Sequence, residues 1–344
     1  MPKATLFALF FILSLILLNN SCRKEGSTRG LTKLDQVRPT AFPYPRYNFV
    51  DNPLTVEGFE LGKKLFYDTL LSDDHEISCG SCHEQRASFG TFEHDRSHGV
   101  HHSHTLRNAP VLLNLAWSTY FQWDGAYTKL TDAIAQPLTG HVEMGMDFHR
   151  IVEYLESNED YRNRFKDVFH TNKIHPDFVL KALSQFTGNL VSYNSRYDKY
   201  MVGQETFTAQ EKRGLALFSA NCATCHAPPL FTDFTIRNNG ASYDALLKDI
   251  GRMGVTGRKE DSMSFKVPSL RNAYNSSNYF HDGRYNTLHQ VIDFYRFGMQ
   301  QRDNLDPLLK NGIRLTDAQA DDLFEFLRTL TDTSFLRDRR FSER

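Results

Sequence analysis

Two copies of one pentapeptide, Cys79-Gly80-Ser81-Cys82-His83 and Cys222-Ala223-Thr224-Cys225-His226, constrain this chain more than any other stretch. In Cys-x-x-Cys-His the two thiols can add to the two vinyl groups of a haem, and the adjoining histidine is placed to ligate the iron from one side. A bare Cys-x-x-Cys is also a redox pair or half a zinc site. Two complete copies in a chain with an export-type N-terminus point instead to two covalently bound c-type haems, with His83 and His226 on the iron. The second face of each iron is the open question.

At 344 residues the chain is long enough for two domains. Its net charge of -1, with both signs mixed, gives no footing for nucleic acid or a strongly basic docking face. Lys3 precedes an apolar run from Leu6 to Leu18, too short for the roughly 20 residues of a spanning helix but suited to the apolar region of a secretory signal. Asn19-Asn20-Ser21-Cys22 then resembles a bacterial lipoprotein cleavage site, with Asn19 where an aliphatic residue is usual. Residues 1–21 are thus expected to be removed, leaving a lipid on Cys22, and the protein to be exported and periplasmic. Ordinary signal cleavage with a free thiol is the alternative. Of five cysteines, one is then for lipid and four are for haem.

Residues 22–53 are polar and then broken by Pro39, Pro43, Pro45 and Pro53, which reads as a tether. A helix is expected from Glu57 to Tyr67, delivering the chain to the first motif. His94, His98, His101, His102 and His104 follow closely, either as loop or as metal or axial ligands. From Asp147 to about Tyr200 the apolar spacing is helical, and Thr316-Asp317 caps a terminal helix.

The second half echoes the first. Arg213 to Phe218 repeats Leu61 to Phe66, Leu270-Arg271-Asn272-Ala273 repeats Leu106-Arg107-Asn108-Ala109, and Tyr279 to Gly283 repeats Tyr120 to Gly125 one residue shorter. Thr287 to Ile292 repeats Lys129 to Ile134. Such order implies duplication of one haem-binding helical unit about a pseudo-twofold relation. Strand-type alternation is scarce, so the fold class is all-α: two cytochrome c-like haem domains, 54–205 and 206–344.

From Leu54 to Phe297 the chain resembles the bacterial di-haem cytochrome c peroxidases and the related methylamine-utilisation enzyme MauG. The likeness rests on Gly62-Lys63-Lys64-Leu65-Phe66, both haem motifs, Arg107-Asn108-Ala109-Pro110, Trp123-Asp124-Gly125, Glu143-Met144-Gly145 and Phe265 to Asn272. It implies that the first haem is peroxidatic and the second stores electrons. Glu143 matches the distal acid-base carboxylate, and Trp123 the tryptophan that carries electrons between haems. Asn108, with the backbone carbonyls of Ser276 and Asn278, matches the ligands of an inter-haem calcium ion.

Ala133 stands where the family commonly has a glutamine, so a distal hydrogen-bond donor is expected to be missing. Peroxidases that need reductive activation carry a blocking histidine in this region; His98, His101, His102 and His104 offer no unique choice. At the second iron, Tyr295 occupies the position of the peroxidases' methionine, where MauG has tyrosine. Met299, four residues on and expected on the same helix face, is the rival. The expected activity is reduction of hydrogen peroxide to water with electrons from a small cytochrome c or cupredoxin. A MauG-like oxidase acting on a partner protein and a non-catalytic electron carrier are the alternatives, and Glu143 argues against the last.

Overall fold

The computed structural model describes residues 30–343 apart from Asn48. The signal segment and Cys22 lie outside the described residues. Helices form where the sequence caps them: α1 (Val56–Phe66) starts at Thr55, whose hydroxyl accepts from Gly58 N. α2 (Cys79–Cys82) is the first motif itself, entered through a reciprocal Ser78–Ser81 capping box. α3 (Leu130–Thr139), α4 (Phe148–Ser157), α5 (Glu159–Phe169), α6 (Pro176–Thr187) and α7 (Arg196–Met201) complete the first half. The second half holds α8 (Ala209–Asn221), α9 (Met253–Thr256), α10 (Leu288–Asp293), α11 (Asp317–Arg328) and α12 (Thr333–Leu336). Among the described residues the strands are β1 (Ile236–Arg237) and β2 (Phe265–Lys266), one antiparallel pair. The molecule is all-α, as the pattern predicts.

Each half is built on a crossed helix pair. α1 packs on α6 and α8 on α11, and the approach is close because each pair meets at a glycine. A Cβ at Gly62 would collide with the Ala182 carbonyl oxygen, and one at Gly214 with that of Asp322. Around the first pair Leu61, Leu65, Phe66, Phe89 and Phe186 form one core; Phe218, Phe231, Phe326 and Leu330 form another around the second. Phe335 and Phe341 pack into the first core, so α12 and the residues after it return to the opposite half.

The repeat is real but its register needs correction. Pro110 matches Pro268 and Asn114 matches Asn272, rather than Asn108 matching Asn272. Asn114 and Asn272 are both left-handed and each opens a short 3-10 turn, Leu115–Trp117 and Ala273–Asn275. Phe121 bridges Tyr127 as Tyr279 bridges Tyr285. Side-chain likeness in Leu-Arg-Asn-Ala misled the matching, because the shared constraint is backbone shape. In the true register Trp123 corresponds to His281, and Asn108 to Lys266. Those four residues join the halves reciprocally: Lys266 N donates to Trp123 O at 2.7 Å, and Asn108 N donates to His281 O at 2.7 Å. Exchanged bonds of this kind are what a twofold-related pair makes.

The stretch read as a tether packs on the globule from Lys33 onward. Phe42 is buried against Trp117 at 5.3 Å between ring centres, and Arg46 N and Tyr47 N both donate to Ala116 O. The prolines prevent regular structure but not burial of the aromatic residues between them.

Candidate functional site

Both motifs close the same turn, His83 N to Cys79 O and His226 N to Cys222 O, each at 2.9 Å. The four motif cysteines are unpaired thiols. His83 Nδ1 lies 2.7 Å from the Phe89 carbonyl oxygen. A carbonyl only accepts, so Nδ1 carries the proton and Nε2 keeps a free lone pair. His226 is held in the same way, with Nδ1 at 3.1 Å from Pro268 O and 3.3 Å from Phe231 O. Burial pushes His83 down to about 4 and His226 below its ordinary value, so both imidazoles are neutral, as iron ligation requires.

The second motif opens into a cavity whose walls include Phe218, Val267, Leu288, Ile292 and Leu323, with Cys222, Cys225 and His226 on its lining. Free thiols, a pre-oriented imidazole and apolar walls fit a covalent haem. Trp123, Lys266 and His281 line the same cavity from the inter-half contact. Trp123 Nε1 also donates to Asn108 O at 2.7 Å, which fixes the indole at that contact.

Near the first motif, Cys79 Sγ is 3.9 Å from Met144 Sδ and Cys82 Sγ is 3.6 Å from the His98 carbonyl. Met144 is the residue after Glu143, so its contact with Cys79 brings the Glu143 loop against the motif, and burial pushes the Cys82 thiol up. Burial raises Glu143 above the usual carboxylate range. Its Oε2 accepts from Gln136 Nε2 at 2.5 Å, and that bond works against the rise by favouring the ionised form. Gln136 is a residue the sequence reading missed. The donor absent at Ala133 is supplied from the residue before Pro137, about one turn further along α3. The available signal was the glutamine's place in the helix that leads into the Glu143 loop.

Residues 56–206 match the family described as di-haem cytochrome c peroxidase, and 211–331 match cytochrome c. MauG of Methylorubrum extorquens is 35% identical over 299 residues, covering 85% of this chain and 82% of that protein. The chain belongs to the di-haem cytochrome c peroxidase and MauG family. Cytochrome c551 peroxidase of Nitrosomonas europaea is 32% identical, covering 81% of each chain. The structure of a MauG-like protein associated with microbial copper homeostasis superposes with a TM-score of 0.83 at 32% identity, covering 90% of this chain and 99% of that one. Membership makes the chain an oxidoreductase and implies two c-type haems.

Tyr295 lines the second cavity and its hydroxyl accepts from Asn239 Nδ2 at 3.4 Å; burial pushes the phenol up to about 12. Tyr295 lies in a π-helical turn, Phe294–Gly298, that ends α10. Met299 is therefore not on the same face of the same helix. It caps that turn in an extended conformation and is absent from the cavity lining. The expected shared face fails because the helical turn ends at Gly298 and Met299 is already extended.

Asn108 Oδ1 is buried with no hydrogen-bond partner. Its Nδ2 lies 3.1 Å from Asn278 O, which also accepts from Ser276 Oγ at 2.8 Å. Asn278 O thus collects two donors, Ser276 takes part through its hydroxyl rather than its carbonyl, and the orphaned Asn108 amide oxygen is the one atom here that lacks a partner and would suit a hard cation. Of the histidines, His101 is held by Asp73 at 2.9 Å, while His98 packs between His94 and His104 with ring centres 4.6 and 4.5 Å away. The loop carrying them is tied to the Glu143 loop through Val100 N to Glu143 O and Ser103 Oγ to Val142 O.

Proposed function

We propose that the protein is a di-haem peroxidase that reduces hydrogen peroxide to water with electrons from a small cytochrome c or cupredoxin. The observation that carries the reading is Glu143, a half-buried carboxylate next to Met144, which touches the first motif, and braced by Gln136. Haems held by Cys79, Cys82 and His83 and by Cys222, Cys225 and His226 supply one-electron iron chemistry. Glu143 takes the proton from the near peroxide oxygen and returns it to the far one, so that the far oxygen leaves as water. Trp123, bonded to Asn108 of its own half and Lys266 of the other, conducts electrons from the second unit to the first. Tyr295 would ligate the second iron, and Asn108 with the carbonyls of Ser276 and Asn278 would hold calcium. Segments 54–205 and 206–344 are the peroxidatic and electron-transfer units, exported to the periplasm and anchored through Cys22.

Glu143→Gln tests the reading: both haems stay attached and peroxide turnover falls by about 10²- to 10⁴-fold. Turnover within a few-fold of the parent removes Glu143 from the mechanism. One observation favours a MauG-like oxidase acting on a partner protein, namely Tyr295 rather than a methionine on the second cavity's lining.

A further inference from the structure

Tyr67, Tyr154 and Tyr161 line one cavity, with Tyr67 against the first haem motif, and nothing in the proposed peroxide chemistry uses them. They line a cavity of about 410 Å³ with Asp68, Lys64 and Arg164. Asp68 Oδ2 accepts from Tyr161 Oη at 2.5 Å and from Tyr154 Oη at 3.0 Å, and the two phenol rings are 5.9 Å apart. Tyr67, the residue before Asp68, rests on the motif itself: a Cβ at Gly80 would fall 2.5 Å from Tyr67 Cδ1. The group therefore runs from the haem-bearing turn to a cavity at the surface.

A phenol loses an electron readily only if its proton can leave at the same time. Burial first, and then the hydrogen bond to Asp68, hold the Tyr161 phenol far above its ordinary value, so it stays protonated until oxidised. A carboxylate in direct contact with both hydroxyls provides the acceptor that an apolar site lacks. Lys64 Nζ sits 5.0 Å above the Tyr161 ring, and a nearby cation disfavours a positive hole there. The hole is thereby biased from fully buried Tyr161 toward half-buried Tyr154.

Resting on the peroxidase reading, we propose that Tyr154 and Tyr161 are an oxidisable pair that gives up electrons by way of Tyr67 when donor protein is lacking. The O–H bonds of two phenols break, and each leaves one electron and one proton to become a phenoxyl radical. Asp68 relays the protons to solvent through the cavity. One hydrogen peroxide consumed at the first motif takes up two electrons and two protons, its O–O bond breaks and two waters form. The pair is an outlet that carries oxidising equivalents away from the haem-binding turn to a surface site.

The test mixes the haem-loaded protein with one equivalent of hydrogen peroxide and no donor, then records the optical and electron paramagnetic resonance spectra. Peptide mass spectrometry with a nitroso spin trap locates any radical. The expected result is a tyrosyl signal, trapped mainly at Tyr154, that falls at least about fivefold in the Tyr154→Phe/Tyr161→Phe double variant. Peroxide consumption with donor present should stay within about twofold of the parent. Asp68→Asn removes the acceptor without touching the rings and should lower the same signal. An optical response to peroxide with no tyrosyl signal, or a signal trapped elsewhere and unchanged in these variants, overturns the outlet but leaves the peroxidase reading standing. A protein whose haem spectrum does not respond to peroxide overturns both.

Discussion

Gln136 Nε2 donates to Glu143 Oε2 across 2.5 Å, from inside α3 to the loop that follows it. The pair sets the ionisation of the half-buried carboxyl by opposing the rise that partial burial causes. Gln136→Leu removes a bond that favours the charged form, so the carboxyl moves further up. A base that must be ionised then gains activity at higher pH than before. The acid limb of the kcat/KM profile should shift to higher pH, with the loss greatest on its acid side and reaching at most about tenfold, the weight of one hydrogen bond to a charged group. An unmoved acid limb would show that Gln136 does not set this ionisation.

Trp123→Phe should leave reaction at the first haem intact while slowing electron delivery from the second. The variant also orphans the Asn108 carbonyl, which accepts from the indole. Stability should fall by about 1–3 kcal/mol. Stopped-flow single turnovers of half-reduced protein, with denaturant unfolding alongside, separate the two effects. Unchanged inter-haem transfer in a folded variant would make the tryptophan packing alone.

Tyr295→Phe should raise the potential of the second haem, because an anionic oxygen donor stabilises oxidised iron. Met299→Leu should leave it unchanged, since Met299 is absent from the cavity lining. Spectroelectrochemical titration reads both. A ferric near-infrared methionine band that persists in Tyr295→Phe and vanishes in Met299→Leu would reverse the assignment.

Arg271→Met should cost about 3–5 kcal/mol by abandoning Asp198 in a bidentate pair made by a fully buried guanidinium. The same guanidinium also donates to Pro229 O at 2.8 Å, so the segments before and after the second motif loosen together. Thermal unfolding measures this, and a change below about 1 kcal/mol would mean that the pair is dispensable.

The sequence alone determined what depends on local covalent spacing. Two Cys-x-x-Cys-His turns pointed to two haems, the capping boxes set helix starts such as Thr316 before α11, and apolar periodicity set the all-α class. Tertiary structure decided whatever depends on partners distant in the chain. Gln136 reaches Glu143 because Pro137 and the loop after α3 fold back. The true repeat register appears in left-handed asparagines and the bonds of Lys266 to Trp123 and Asn108 to His281. Met299 leaves the face of Tyr295 because the helix ends at Gly298, and the proline-rich stretch becomes a packed strap because Phe42 finds Trp117. Side-chain letters report local chemistry, whereas backbone hydrogen bonds and aromatic burial are settled only when remote segments meet.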